Sequence, residues 1–419
     1  MSNDAATLEP GGHGRKLKVA VVGCGTIGPR HAEAYAETGQ TELVGAVDIV
    51  SERAAAFAER YGAAASYSSV ADLLAEQHPD LVSIATPPGT HAELAEQVLA
   101  AGCSVLLEKP PCPTLAQLDA VAAAEAKSSG QVYVVFQHRH GSGAQRARQL
   151  IERGALGQPQ VAVCETLWFR PVNYFDPEWR GTWAGEGGGP TLGHGIHQID
   201  LLLYLLGPWT TLTALAARVA RPVEFEDVSL ASVIFDNGSV ASMTNSLLSP
   251  RELTRIRLDL TGGTLEVDHV YGYADQDWSF TPAPDEAMAA KLGRDPGVRD
   301  QSGEVAGPTN AAPAVDPWEA SAGTDVPSNH GAQITRLVDD LQHGRSHETT
   351  LASTRPTMEF VTAVYASALL GVPVRRDELV PGHPFYDDLS GGFRDEQVTS
   401  RMRTDAERAG SLDTVTSGS

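Results

Sequence analysis

Lysine is scarce in this chain: Lys16, Lys18, Lys109, Lys127 and Lys291 are the five among 419 residues. Basic residues number 31 against 53 acidic, a net charge of −22. That balance argues against nucleic acid or an anionic membrane surface as a partner. Cysteine is equally thin. Cys24, Cys103, Cys112 and Cys164 are too few for a disulfide framework and lack metal-ligand spacing, so free thiols in a reducing cytoplasm are the simplest account. No His/Cys/Asp spacing marks a metal site, and no internal repeat is present. Nothing approaches the length of a membrane span, and no apolar segment precedes Val19. The expectation is a soluble cytoplasmic protein with enough apolar content for two cores.

What is present begins with Val19-Ala-Val-Val-Gly23-Cys24-Gly25-Thr26-Ile27-Gly28. An apolar run that ends in Gly-x-Gly-x-x-Gly and continues into a small-residue helical pattern reads as strand, tight turn and helix start. Gly23 lets the chain turn, Gly25 lets the backbone approach a pyrophosphate, and Gly28 lets helix and strand pack closely. The next strand-like run ends in Asp48, 20 residues after Gly28, where a carboxylate can accept from the hydroxyls of an adenine ribose. Asp48 favours NAD over NADP, because it would repel a 2′-phosphate. Arg53, one helical turn on, keeps NADP as the alternative.

From residue 16 short apolar strands (Val19–Val22, Leu43–Asp48, Leu81–Ala85, Ser104–Leu107, Val132–Phe136) alternate with helical stretches, which predicts an α/β doubly wound parallel sheet over 16–137. After a helix at Ala144–Arg153 the pattern changes to strands joined by Asp236-Asn237-Gly238 and Thr261-Gly262-Gly263. That is hairpin chemistry, and it predicts a second, α+β domain over 138–385 with a large open, mostly antiparallel sheet. Residues 275–328, rich in Pro, Gly, Ala and Asp, read as a loop insertion. Residues 1–15 and 386–419 read as polar tails.

Val105-Leu106-Leu107-Glu108-Lys109-Pro110 is a strand whose carboxyl end carries a lysine. Ligands of open parallel sheets sit at that edge, so Lys109 points toward whatever the glycine turn holds and can polarise a substrate oxygen beside a nicotinamide. Thr86-Pro87-Pro88-Gly89-Thr90-His91 is a second strand end, turning rigidly into a helix that Thr90 could cap. His197 opens a helix with Asp200 on the same face, where a carboxylate could hold the imidazole tautomer.

Together these motifs resemble the Gfo/Idh/MocA oxidoreductases, the family of glucose–fructose oxidoreductase and inositol dehydrogenase. Gly23–Gly28, Asp48, Thr86-Pro87 with His91, Glu108-Lys109-Pro110, Trp179-Arg180-Gly181 and Gly187-Gly-Gly…Gly195-Ile-His197 occur in that family's order. The resemblance implies an N-terminal Rossmann domain, a nicotinamide cofactor, a sugar or cyclitol substrate, and a homodimer or homotetramer formed through the C-terminal sheet. It places the catalytic lysine at Lys109 and the proton-accepting histidine at His197. It also brings Thr86, Pro87, His91, Glu108, Trp179 and Arg180 to the cofactor, and Gln137, His138 and His194 to the substrate, with Arg139 beside them. Many members carry an aspartate four residues before the histidine, where this chain has Gly193. The implied reaction moves a hydride between nicotinamide and a secondary alcohol or ketone. Two alternatives stand beside it: a retained-NAD glycosidase that oxidises its sugar transiently, and a non-catalytic dinucleotide-binding regulator.

Overall fold

The computed structural model describes residues 15–283, 316–393, 398 and 401–402. β1 (Leu17–Val22), β2 (Thr41–Val47), β3 (Ser66–Tyr67), β4 (Leu81–Ile84), β5 (Ser104–Leu107) and β6 (Val132–Val134) form one sheet in the order β3-β2-β1-β4-β5-β6. Every pairing in it is parallel. β4 and β5 are buried along their whole length, as strands covered on both faces must be, and their sequences are accordingly almost unbroken apolar runs. The covering helices are α1 (Gly28–Thr38), α2 (Ser51–Tyr61), α3 (Val70–Gln77), α4 (His91–Ala100) and α5 (Leu115–Glu125). Ser69 and Thr114 cap α3 and α5 by accepting from Asp72 N and Gln117 N. Thr90 does not cap α4; its hydroxyl donates to the Pro87 carbonyl and leaves the helix start to a short 3-10 turn. Strand order reverses between β1 and β4, which opens a crevice at their carboxyl ends.

The rest of the chain comprises α6 (Ser142–Glu152), β7 (Pro159–Phe169), α7 (Trp183–Glu186), α8 (Pro190–Gly193), α9 (Ile196–Leu206), β8 (Trp209–Ala217), β9 (Val228–Phe235) and β10 (Val240–Ser246). It continues with β11 (Leu248–Leu260), β12 (Gly263–His269), β13 (Trp278–Pro282), α10 (Pro317–Ala320), α11 (His330–Gln342), α12 (Leu351–Leu370) and β14 (Val374–Arg375). The second sheet runs β13-β12-β11-β7-β10-β9-β8-β14, and only the β7–β10 pairing is parallel. Both expected hairpin turns join antiparallel neighbours, and Gly238 takes the left-handed φ of 84° that its turn needs. α9 and α12 cover one face of this sheet.

Three features depart from the sequence reading. Within 275–328, Trp278–Pro282 adds a strand to β12 and Trp318 stacks on Trp278 at 5.9 Å; two tryptophans anchor what composition alone describes as loop, and 284–315 lie outside the described residues. Beyond residue 385, Tyr386, Leu389, Val398 and Met402 are buried, so apolar residues spaced through a polar stretch tie it to the core. α11 belongs by sequence to 138–385, yet its Ile334, Leu337 and Val338 share a core with Val19 and Val21 of β1 and Tyr35 of α1. Among the described residues no helix is long and apolar enough to cross a membrane.

Candidate functional site

At the crevice the glycines behave as their spacing implies. Gly23 has φ 95°, and a Cβ there would meet the Ala85 carbonyl oxygen at 2.6 Å. A Cβ on Gly28 would meet the Gly23 carbonyl oxygen at 2.3 Å, so β1 and α1 approach as closely as backbone allows. Around Gly25 there is open space within 4 Å, and Gly25, Thr26 and Ile27 are exposed. A pyrophosphate fits against this loop at the start of α1. Asp48 lies just beyond β2, where its carboxylate accepts from Cys24 N (3.1 Å) and Val50 N (2.9 Å), and Arg53 Nη1 lies 3.3 Å away. A carboxylate so held keeps lone pairs for a ribose diol, and these residues fit a dinucleotide.

Thr86 and His91 make the next rim. The two ring nitrogens of His91 lie 2.9 Å from the carbonyls of Thr86 and Pro110, tying together the turns after β4 and β5. His91 is fully buried, so it shapes the cleft through those two turns rather than facing it. Pro87 leads into the 3-10 turn Pro88–Thr90, and α7 packs against that turn, which brings Trp179 and Arg180 to the same side. Trp179 is half exposed, and Arg180 pairs with Glu186 at 3.2 Å.

Glu108 and Lys109 point to opposite sides of the strand end. Glu108 is buried, and its Oε1 accepts from His31 Nε2 (3.0 Å) and His330 Nε2 (2.9 Å). These contacts hold its carboxyl well below the usual range against the opposing cost of burial. Behind it His31 Nδ1 meets Ser83 Oγ at 3.0 Å, and Tyr35 OH bonds the same hydroxyl at 2.6 Å. The sequence reading finds no metal-ligand pattern. The fold nonetheless brings ligand-type atoms of His31, Glu108 and His330 within 4.8 Å of one another, and hydrogen bonds among the three account for the grouping. Only sequence separation hid it.

Lys109 Nζ donates to the carbonyl of Gly193 at 2.9 Å. Burial lowers its pKa below 10.5, with Glu108 and Glu186 acting the other way. His197 lies nearby with neither ring nitrogen partnered among the described residues. Burial first, then Lys109 and His138, hold its pKa well below 6.5, so the ring is neutral. Its centroid stands 5.3 Å from His138 and 6.1 Å from Tyr271. His194 has an unpartnered Nδ1 and meets Trp168 edge-on at 5.1 Å. Gln137 donates to Tyr271 OH at 2.7 Å and leaves its Oε1 unpartnered, while His138 Nδ1 meets Ser328 Oγ at 3.1 Å.

Two expectations are corrected here. Asp200 does not touch His197; it accepts from Arg139 Nε at 2.7 Å and Nη2 at 2.5 Å and from Thr357 at 2.8 Å. A shared helix face allows His–Asp contact, but a bidentate guanidinium wins the carboxylate. Arg139 is thereby a buried structural ion pair and faces no substrate. Trp168, Tyr271, His31 and His330 were missed, since none lies in a spaced motif. Buried ring nitrogens of His194 and His197 thus lack partners among the described residues near Lys109, where a polar ligand would satisfy them. A cavity of about 970 Å³ lies elsewhere, lined by residues such as His140, Arg146, Arg336 and Asp340, and contains none of these groups.

Comparison with known proteins bears on both halves of the fold. Residues 17–136 match the model of an oxidoreductase family with an NAD-binding Rossmann fold, and 144–266 match the GFO/IDH/MocA C-terminal domain. The chain is 28% identical to the D-glucoside 3-dehydrogenase of Escherichia coli over 61% of its own length and 78% of that protein's. With the D-apiose dehydrogenase of Paraburkholderia graminis it shares 26% identity over 90% and 94% of the two lengths. The WlbA dehydrogenase from Bordetella pertussis, solved with NADH and UDP-GlcNAcA, superposes with a TM-score of 0.72 at 26% identity, covering 86% of this chain and 99% of that one. With both halves matched in chain order, the chain belongs to the GFO/IDH/MocA oxidoreductases, a family that binds NAD.

Proposed function

We propose that this protein is an NAD-dependent dehydrogenase that interconverts a secondary alcohol and the ketone of a sugar, sugar derivative or cyclitol, with Lys109 and His197 as its catalytic residues. The observation that carries this reading is a partly buried ammonium close to a neutral, unpartnered imidazole at the crevice edge. Bound NAD supplies the hydride acceptor. Lys109 holds the substrate oxygen and stabilises the charge that grows on it as the carbinol hydride departs. A ring nitrogen of His197 takes the hydroxyl proton, and in the reverse direction returns it. Asp48 would bind the adenine ribose, the Gly23–Gly28 loop the pyrophosphate, and the Thr86–Pro87 turn with Trp179 and Arg180 the nicotinamide side. Gln137, His138 and His194 would meet substrate hydroxyls. The relatives named as sugar dehydrogenases support the substrate class.

The test is NADH formation at 340 nm over a panel of sugars and cyclitols. Lys109→Ala and His197→Ala should each lower kcat/KM by roughly a hundred- to ten-thousandfold. Both should still bind NADH, and full activity in either variant would remove that residue from the reaction.

The same proposal makes the protein a cytoplasmic homo-oligomer. All four cysteines are free thiols. The open face of the second sheet exposes Val161, Leu215, Leu230, Ile234 and Val240, which a second copy would cover.

A further inference from the structure

One wall of the site is built in an unexpected way for a chain with so strong an acidic excess. Between β7 and α8, side chains stack as a ladder of alternating aromatic rings and guanidiniums. Arg180 lies over Trp179 at 4.3 Å and over Tyr174 at 4.1 Å; Arg170 lies over the same Tyr174 at 5.2 Å and over Trp168 at 4.7 Å. Trp168 then meets His194 edge-on at 5.1 Å and Tyr271 at 5.8 Å. The Arg180 end thus lies beside α7, which packs against the turn at Pro88–Thr90, and the Arg170 end reaches His194 through Trp168.

Stacking spreads each guanidinium flat and leaves its N–H edge for a planar or tetrahedral oxyanion. Both arginines remain partly exposed, at 20% for Arg170 and 25% for Arg180. Arg170 pairs at 3.3 Å with Glu252, itself 38% exposed, donates to the Phe169 carbonyl at 3.0 Å, and has an Nε without a partner among the described residues. Glu186 answers Arg180, and burial pushes the Glu186 carboxyl up, which weakens it as a counter-ion. The field at His194 is positive accordingly: Arg170, Lys109 and Arg180 all bear on it. A neutral polyol would gain nothing from that field, whereas an anionic one would be drawn in and oriented by it.

We infer that the substrate is a sugar bearing an oxyanion group, carboxylate or phosphate, and that Arg170 on the Trp168–Tyr174 ladder binds that group while Lys109 and His197 address the ring hydroxyl. The inference rests on the dehydrogenase reading above. The two sources of the oxyanion are a uronate carboxylate and a sugar phosphate, and the experiment separates them.

Initial rates of NADH formation are measured for neutral hexoses, the matching hexuronates and the matching hexose 1-phosphates, with the parent protein, Arg170→Gln and Arg170→Lys. The expected result is a kcat/KM about tenfold or more higher for one acidic series than for its neutral counterpart. In Arg170→Gln that ratio falls toward one through KM, and in Arg170→Lys part of it returns. Which series leads identifies carboxylate or phosphate. Neutral hexoses used as well as acidic ones, or an acidic preference unchanged in Arg170→Gln, would overturn the inference and leave the dehydrogenase reading standing. No turnover with any sugar, alongside tight NADH binding, would overturn both.

Discussion

Lys109 is the residue on which the proposed chemistry turns, and its partner is not one that motif spacing names. At the position where the family resemblance implies an aspartate, Gly193 offers its backbone carbonyl instead. A carbonyl orients the ammonium but holds it charged less strongly than a carboxylate would. Burial has already lowered the Lys109 pKa, so the alkaline limb of log kcat/KM should fall below pH 10.5. His197 must be neutral to accept a proton, and its pKa lies well below 6.5, so the acid limb in the oxidative direction should fall below that pH. Outside its own helix backbone and chain neighbours, a Cβ placed on Gly193 meets no atom within 4 Å, so the position has room for a side chain to begin. The carboxylate added in Gly193→Asp should move the alkaline limb up by about one pH unit. A pH profile identical to the parent's would mean that position 193 does not act on Lys109.

The elements around the site depend on a buried acid with no sequence signature. Glu226 accepts from Thr191 N (3.1 Å) and from Tyr365 OH (3.0 Å), and Tyr365 in turn receives Gly189 N at 2.9 Å. This network pins the N-terminal end of α8, and through it the Gly193 carbonyl. Burial raises the Glu226 pKa to about 7 from 4.5. The folded chain therefore holds this proton more tightly than the unfolded one, and the stability it confers is complete below pH 4.5 and is lost as pH rises toward 7. The loss amounts to up to about 3 kcal/mol. Thermal melts should show the parent losing stability between pH 5 and pH 8 relative to Glu226→Gln, and parallel curves for the two would refute this. The prolines and glycines that punctuate these elements were legible in sequence. The Glu226 network was not, because Thr191 of α8, Glu226 of the β8–β9 loop and Tyr365 of α12 are far apart in sequence.

For the whole molecule, the open sheet face is the surface proposed to meet a second copy. Leu215 stands opposite Leu230, and Val240 lies between Ile234 and Val161, so exposed apolar residues align across strands in two rows, with Thr213, Ser232 and Ser242 between them. Light scattering should find the parent as a dimer or tetramer. Leu230→Glu with Ile234→Lys should reduce it to monomer while leaving NADH binding intact. A monomeric parent would leave the face unexplained by self-association.

Local information determined the parallel sheet, the glycine turn, the hairpins and the strand-end position of Lys109. Each is written in residues a few positions apart, where steric and periodic rules act directly. Tertiary structure alone decided who contacts whom across distance. Asp200 went to Arg139 from 61 residues away, Glu108 to His330 from 222, and Lys109 to Gly193 from 84. It also drew α11 onto the first sheet and aligned Arg170 and Arg180 on one aromatic ladder. Periodicity tells which face of an element is buried. Which of several buried polar groups wins a given carboxylate depends on geometry that exists only once the elements have packed.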